Sequence, residues 1–470
     1  MYGNNGCMNK PRVLSLFTLA MINVATIGSV KNWPITAEYG LASIFFLIAA
    51  SILFFIPTAL VSAELATGWP ERGGVFVWVK EAFGHRTGFL AIWLLWIQNV
   101  VWYPTILSFI VSTFAYAFNP ELANNKVYTL ILTLALFWGA TLINMRGMKI
   151  SGWISSAGTI LGTFIPAALI IGLGGAWFFS GKPLAIPLSW GNLIPDMGHA
   201  QHLVFFTGII MSLMGIEMSA VHAKDVNNPQ KTYPRAILLS LVIILGLSIP
   251  GVLAIAFVVP QSDINLLSGS IQAFTRVVES FGLSWLTPWM AALIAVGAIA
   301  SMSTWLVGPS KGLLAAAQIG DLPHVFHKLN KREMPVGLLT FQAIIVTMIT
   351  LLFVLMPTVN SAFWFISATV SLLYLVMYFL LFAAAIKLRY KRPNTPRAYR
   401  VPGGKWGIWV VSGIGTLTAA FAMFIGFFPP SQVKTGNTLV YVLSLLGAVI
   451  LFCLGPYIIL LFKNRKWEEK

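Results

Sequence analysis

Twelve apolar runs, each of 19 residues or more, fall at residues 13–36, 40–67, 88–118, 127–145, 152–179, 202–221, 236–259, 286–317, 337–356, 362–386, 407–428 and 438–462. At a helical rise of ~1.5 Å per residue, such runs match the ~30 Å hydrocarbon core of a bilayer. Hydrocarbon offers no partner to backbone N–H and C=O groups, so a spanning segment must satisfy them within itself, as a helix does. The pattern predicts an all-α integral membrane protein with twelve transmembrane helices. Composition agrees: 57% of the 470 residues are apolar and 9% are charged, against ~45–50% and ~25% in a soluble domain. An ordinary soluble enzyme is excluded.

The 30 Lys and Arg outnumber 14 Asp and Glu and give a formal charge of +16. In a soluble chain that excess would point to nucleic acid; here topology explains it. With the N-terminus in the cytoplasm, 25 cations fall in inside loops and tails, including the cluster from Lys387 to Lys405. Four, Lys126, Lys182, Arg276 and Lys434, fall outside, and Lys31 is left within the first span. The positive-inside rule then puts both termini in the cytoplasm and leaves no nucleic-acid partner to invoke. The first run follows Lys10 and Arg12, lacks a small-residue cleavage site and continues past Pro34, so a retained span is expected rather than a signal peptide. No Asn-x-Ser/Thr acceptor occurs, and the tails, 1–12 and 463–470, are short. Both facts are compatible with a bacterial inner membrane. Residues 181–201 should form an irregular outer cap, and 261–283 an amphipathic interfacial stretch.

Most runs are unbroken, but the first contains Thr26-Ile27-Gly28-Ser29-Val30-Lys31-Asn32-Trp33-Pro34 and the sixth Ser212-Leu213-Met214-Gly215-Ile216-Glu217. Glycine lowers helix propensity and proline removes a donor, so both spans should be interrupted near the midplane. Interruptions in the first and sixth positions are what two inverted five-helix repeats produce. Freed N–H groups then face an anionic group and freed C=O groups a cationic one. A zwitterionic amino acid carries both charges.

The chain resembles the amino acid/polyamine/organocation (APC) transporter superfamily, and within it the bacterial glutamate/γ-aminobutyrate antiporters. The stretches that carry the resemblance are Phe55-Ile56-Pro57 through Ala63-Glu64-Leu65-Ala66-Thr67, Gly73-Gly74-Val75-Phe76-Val77-Trp78-Val79 and Met214-Gly215-Ile216-Glu217-Met218-Ser219-Ala220, the last leading into Asn228-Pro229 and Tyr233-Pro234. Trp305-Leu306-Val307-Gly308-Pro309-Ser310-Lys311-Gly312 and Val401-Pro402-Gly403-Gly404-Lys405 follow. The resemblance implies a LeuT-type 5+5 inverted repeat, residues 13–179 and 202–386, plus two peripheral helices in 407–462. It also implies alternating access around a midplane site. The carboxylate-binding turn of the family falls on Ile27, Gly28, Ser29 and Val30, and its amine-binding carbonyls near Thr26, Met211 and Met214, with Gly215 in the second break. Its gating and coupling positions fall on Trp33, Glu217, Trp305 and Tyr378, with Tyr374 competing for the last.

Two departures bear on selectivity and gating. Glutamate-exchanging relatives carry an acid four positions before the Trp-x-Val-Gly-Pro-Ser motif, where this chain has Ser301; a preference for uncharged or small polar amino acids is expected. Those relatives also have a long C-terminal segment that plugs the cytoplasmic vestibule at neutral pH, and this sequence ends at Lys470. Transport is therefore expected to persist near neutral pH.

Glu217 is an ionisable group at membrane depth, where charge costs several kcal/mol unless paired or hydrated. Holding the break open, or gating, is favoured over direct substrate contact. Lys31 could snorkel into the outer vestibule or meet an acidic substrate side chain, and the vestibule is favoured. Trp33, Trp102, Tyr103, Phe205, Trp305 and Tyr378 could enclose a substrate, while Gln98 and Asn99 could face the pathway or bond between helices. Glu64 should be structural, and the six histidines interfacial. Cys7 and Cys453 lie near opposite ends of the chain, and no metal-ligand spacing, phosphate loop or nucleophile elbow occurs. Neither cofactor, metal nor enzymatic activity is expected. The function expected is amino acid antiport, the exchange of amino acids or of an amino acid for a related amine, with proton-coupled symport as the alternative. Partners are the small-molecule amino acid and membrane lipids; a homodimer is compatible with this.

Overall fold

A computed structural model describes residues 15–70, 74–146, 160–195, 203–217, 226, 228–332, 334–430 and 433–463. Every regular element among them is helical. The principal helices are α1 (Leu16–Ile27), α2 (Trp33–Ala37), α3 (Gly40–Gly68), α4 (Val75–Phe83), α5 (His85–Ala115), α6 (Lys126–Asn144) and α7 (Leu161–Phe179). They continue as α8 (Phe205–Ser212), α9 (Pro229–Val258), α10 (Gly269–Ser280) and α11 (Leu286–Ala316). The chain ends with α12 (Val336–Leu355), α13 (Val359–Lys391), α14 (Gly404–Gly426) and α15 (Thr438–Leu461).

Nine helices among the described residues are long and apolar enough to cross a bilayer: α3, α5, α6, α7, α9, α12, α13, α14 and α15. The other three apolar runs are α11 and the two segments that break, α1–α2 and α8. Burial sorts the spans by depth in the bundle. In the most apolar stretch of α5, 94% of residues are buried, against 17% in α15. The mean hydropathy of these stretches is 1.5 in α5 and 2.4 in α15. The helix that carries polar Gln98, Asn99, Thr105 and Ser108 takes the centre, packed against α11 and α13, where neighbouring helices can meet those groups, while the more apolar α15 lies at the periphery. Helices α7 and α11 cross where Gly162 meets Gly297. A Cβ on Gly162 would come within 2.1 Å of the Gly297 Cα, so this crossing depends on two residues without side chains.

Two further contacts fix the ends of the bundle. Near the end of α3, Glu64 is buried and accepts from Nε of Arg389 at 2.9 Å and from its terminal nitrogen. Arg397 approaches at 3.3 Å, and the Val401 N–H donates at 2.8 Å. This clamp ties α3 to the end of α13 and to the loop that follows. At the opposite face, α10 buries Ile271, Phe274 and Val278 and lies across the first break, with the Ser270 hydroxyl donating to the Val30 carbonyl at 2.8 Å. The stretch expected to float at the interface is thus packed against the interrupted span.

Candidate functional site

The first span breaks where the sequence places the small and polar residues. Helix α1 stops at Ile27, Gly28 (φ −67°, ψ 109°) and Ser29 (φ −147°, ψ 130°) are extended, and the chain re-enters helix through the 3₁₀ turn Val30–Asn32 and then α2. The Ser29 hydroxyl caps the new turn by accepting from the Lys31 N–H at 3.3 Å. A Cβ on Gly28 would lie 2.7 Å from the Val24 carbonyl oxygen, so a larger residue forces the turn to move. In the sixth run α8 stops at Ser212. Its final carbonyls, Ile210 and Met211, are taken by tight bonds from Leu213 and Met214, and the chain reverses at Gly215 with φ +109°. That conformation is open to glycine and costly for a side chain.

Between the breaks lies a cavity of about 90 Å³. Ile27, Gly28 and Ser29 line it from the first break, and Met211 and Met214 from the second. Helix α5 contributes Gln98, Asn99 and Trp102, α11 contributes Ser301 and Trp305, and α13 contributes Tyr374. The N-terminal end of one helical turn therefore faces the C-terminal end of another across a small space. An N–H-rich, anion-attracting edge stands opposite a carbonyl-rich, cation-attracting one.

Several expected residues stand behind this wall. Glu217 is 1% exposed; one carboxylate oxygen accepts from the Tyr374 hydroxyl and the other from the Tyr378 hydroxyl at 2.6 Å. Tyr378 also accepts from the Gly215 N–H at 2.9 Å. The carboxylate thus holds both tyrosines, and through Tyr378 it fixes the backbone of the second break. Tyr374 reaches the cavity, whereas Tyr378 stacks one turn behind it with ring centroids 5.0 Å apart. Trp33 faces away from the cavity and lies on α9, where a Cβ on Gly251 would meet its ring at 2.4 Å. The Val30 carbonyl is committed to Ser270. The backbone of Thr26 belongs to the last turn of α1; its side chain lies outside the described residues.

Trp305 presents its carbonyl to Tyr103 (3.0 Å) and Asn99 (3.5 Å), and its ring lies 6.3 Å from Trp102. Asn99 therefore lines the cavity and bonds between helices at once. Phe205 packs edge-on against Trp364. Lys31 departs most from the sequence expectation. It is 2% exposed and lines the cavity instead of reaching the vestibule. Its Nζ donates to the Thr105 hydroxyl at 2.7 Å and sits 5.2 Å from the Trp102 ring and 5.5 Å from that of Phe363. None of the ion pairs among the described residues includes it.

Of the histidines, His85 pairs with buried Asp321 at 2.7 Å and the His324 ring lies tilted against that of His327, while His199, His202 and His222 lie outside the described residues. No group of three or more His, Cys, Asp or Glu side chains that could hold a metal occurs among the described residues.

The family model described as amino acid permease matches residues 14–451. The chain belongs to the amino acid permease family. It is therefore a transporter and not an enzyme. It is 43% identical over 452 residues to an uncharacterized transporter of Legionella pneumophila, an alignment covering 96% of this chain and 97% of that one. It is 35% identical to the glutamate/gamma-aminobutyrate antiporter of Lactococcus lactis, covering 98% and 93% of the two chains. A probable agmatine/putrescine antiporter of Lactococcus lactis is 25% identical, covering 96% and 95%. As an amino acid permease, the chain has a cavity bounded by two interrupted helices as its candidate substrate site.

Proposed function

We propose that this permease exchanges amino acids, or an amino acid for a related amine, by alternating access, with the two helix breaks as the substrate cradle. The observation that carries this reading is the cavity itself, bounded by Gly28–Ser29 on one side and Met211–Met214 on the other. The substrate carboxylate docks at the Gly28–Val30 turn on the N–H groups of Ser29 and Val30, since the Gly28 N–H is held by the Val24 carbonyl at 2.7 Å, and its ammonium on carbonyls near Thr26, Met211 and Met214. Glu217 acts at one remove: it positions Tyr374 against the cavity and Tyr378 against Gly215. Trp305 closes over the bound molecule.

The substrate's side chain then points toward Ser301 and Lys31. A buried ammonium with no carboxylate beside it is costly, and an anionic substrate group would offset that cost. Lys31 therefore supplies the positive charge for this end of the substrate, which replaces the preference for uncharged or small polar side chains expected from Ser301 alone, and Ser301 leaves room for the anionic group. The architecture proposed is twelve helices, with inverted repeats in 13–179 and 202–386, peripheral helices in 407–462 and cytoplasmic tails at 1–12 and 463–470. The location proposed is a bacterial inner membrane, with both termini inside.

Counterflow into proteoliposomes tests the reading, with all common amino acids and their decarboxylated amines as internal substrates. Robust labelled uptake is expected for a small set of them. Uptake that ignores every internal amino acid and follows an imposed pH gradient would establish proton-coupled symport instead.

A further inference from the structure

A second cavity, of about 830 Å³, opens on the face that the proposed topology makes external, and it shares no lining residue with the central one. Its walls are the turn around Glu38–Ala42, between α2 and α3, together with Phe46 of α3, residues between Ile186 and Pro195, and Gln261 with Ser262. Gln261 ties two of these walls together by donating from its side chain to the Glu38 carbonyl. Glu38 lines the cavity although it is only 3% exposed. Its Oε2 has no hydrogen-bond partner, and no ion pair among the described residues includes it.

A buried carboxylate is costly unless a cation or donor meets it, and the described residues supply neither. What lies around it narrows the choice of cation. Calcium takes about six to eight oxygen ligands, and no cluster of acidic or histidine side chains occurs here among the described residues. The remaining wall is largely aromatic and aliphatic: the Tyr39 and Phe46 rings lie 4.2 Å apart, with Ile186 and Pro187 beside them. Aromatic faces beside a carboxylate suit an ammonium group on an apolar stem, and the volume falls in the ~300–1,000 Å³ range of small-molecule pockets.

We propose that this outer cavity is a second binding site, separate from the transport site, that takes a primary amine with an apolar stem and uses Glu38 as its counter-ion. Burial pushes the Glu38 carboxyl up to about 8, so at pH 7 the empty site holds mostly the protonated form. An arriving ammonium stabilises the carboxylate, and that proton leaves to solvent.

The test is calorimetric titration of the purified full-length chain with n-butylamine at pH 7.0, in two buffers of different ionisation enthalpy. Saturable binding coupled to proton release is expected. Glu38→Gln should weaken binding at least tenfold and remove the proton release. Gly191→Trp should weaken binding while leaving Glu38 in place, because Gly191 lines the cavity, a Cβ there meets nothing within 4 Å, and the indole takes up part of the space the amine's stem would use. Gly28→Leu, altered in the central cavity, should bind butylamine as the wild type does once shown to be folded. No saturable binding by the wild type, undiminished binding in Glu38→Gln or in Gly191→Trp, or loss of binding in folded Gly28→Leu would each overturn the proposal.

Discussion

Lys31 and Glu217 lie near the two breaks, yet they meet different fates. Glu217 has both oxygens satisfied by tyrosine hydroxyls, so its charge is internally supported. Lys31 has one hydroxyl and two aromatic faces, and its remaining donors are uncommitted among the described residues. On the proposed assignment, Lys31→Gln lowers counterflow of substrates with an anionic side chain at least tenfold relative to neutral ones. Ser301→Glu adds a carboxylate to the same cavity and, by repulsion, should likewise disfavour anionic substrates. Competition assays with a panel of labelled amino acids check both; an unchanged profile in each variant removes these residues from selectivity. The place of Glu217 beside the second break was legible in the sequence because a carboxyl stands out in an apolar run. The choice between Tyr374 and Tyr378 was not, since residues four apart share one helix face and packing alone decides which reaches the cavity. The burial of Lys31 was equally hidden: a lysine stem long enough to snorkel is also long enough to turn inward.

At the level of elements, each broken helix depends on a glycine, and the two act for different reasons. Gly28 leaves room against the Val24 carbonyl, and Gly215 adopts a left-handed backbone. Gly28→Leu and Gly215→Leu should each reduce substrate affinity at least tenfold in folded protein, as read by equilibrium binding, and unchanged affinity in both would sink the backbone cradle. The clamp on Glu64 predicts a stability effect instead. Glu64→Gln leaves Arg389 and Arg397 buried without their counter-charge, a loss of the kind that costs about 3–5 kcal/mol. A marked fall in the unfolding temperature, with wild-type substrate affinity in the protein that remains folded, is the expected outcome. Span positions were largely legible, because hydrophobic length is a local property: the run expected at 337–356 appears as Val336–Leu355 and that at 438–462 as Thr438–Leu461. The placement of α10 was not. Its amphipathic pattern announces a half-buried helix, but nothing in that pattern says that Ser270 meets the carbonyl of Val30, 240 residues away.

For the whole molecule, a small cavity between two interrupted helices at the heart of a bundle fits a cycle in which substrate is surrounded before it is released. In the proposed exchange, the site returns between faces chiefly when loaded, since the occupied cradle satisfies backbone dipoles that an empty one leaves exposed. The direct measurement is uptake of a labelled amino acid, identified by the counterflow screen, into proteoliposomes that are either empty or preloaded with the same unlabelled amino acid, with no pH gradient. Exchange predicts uptake at least tenfold faster into the preloaded vesicles. Equal initial rates into empty and preloaded vesicles, accelerated by an inward proton gradient, would contradict it.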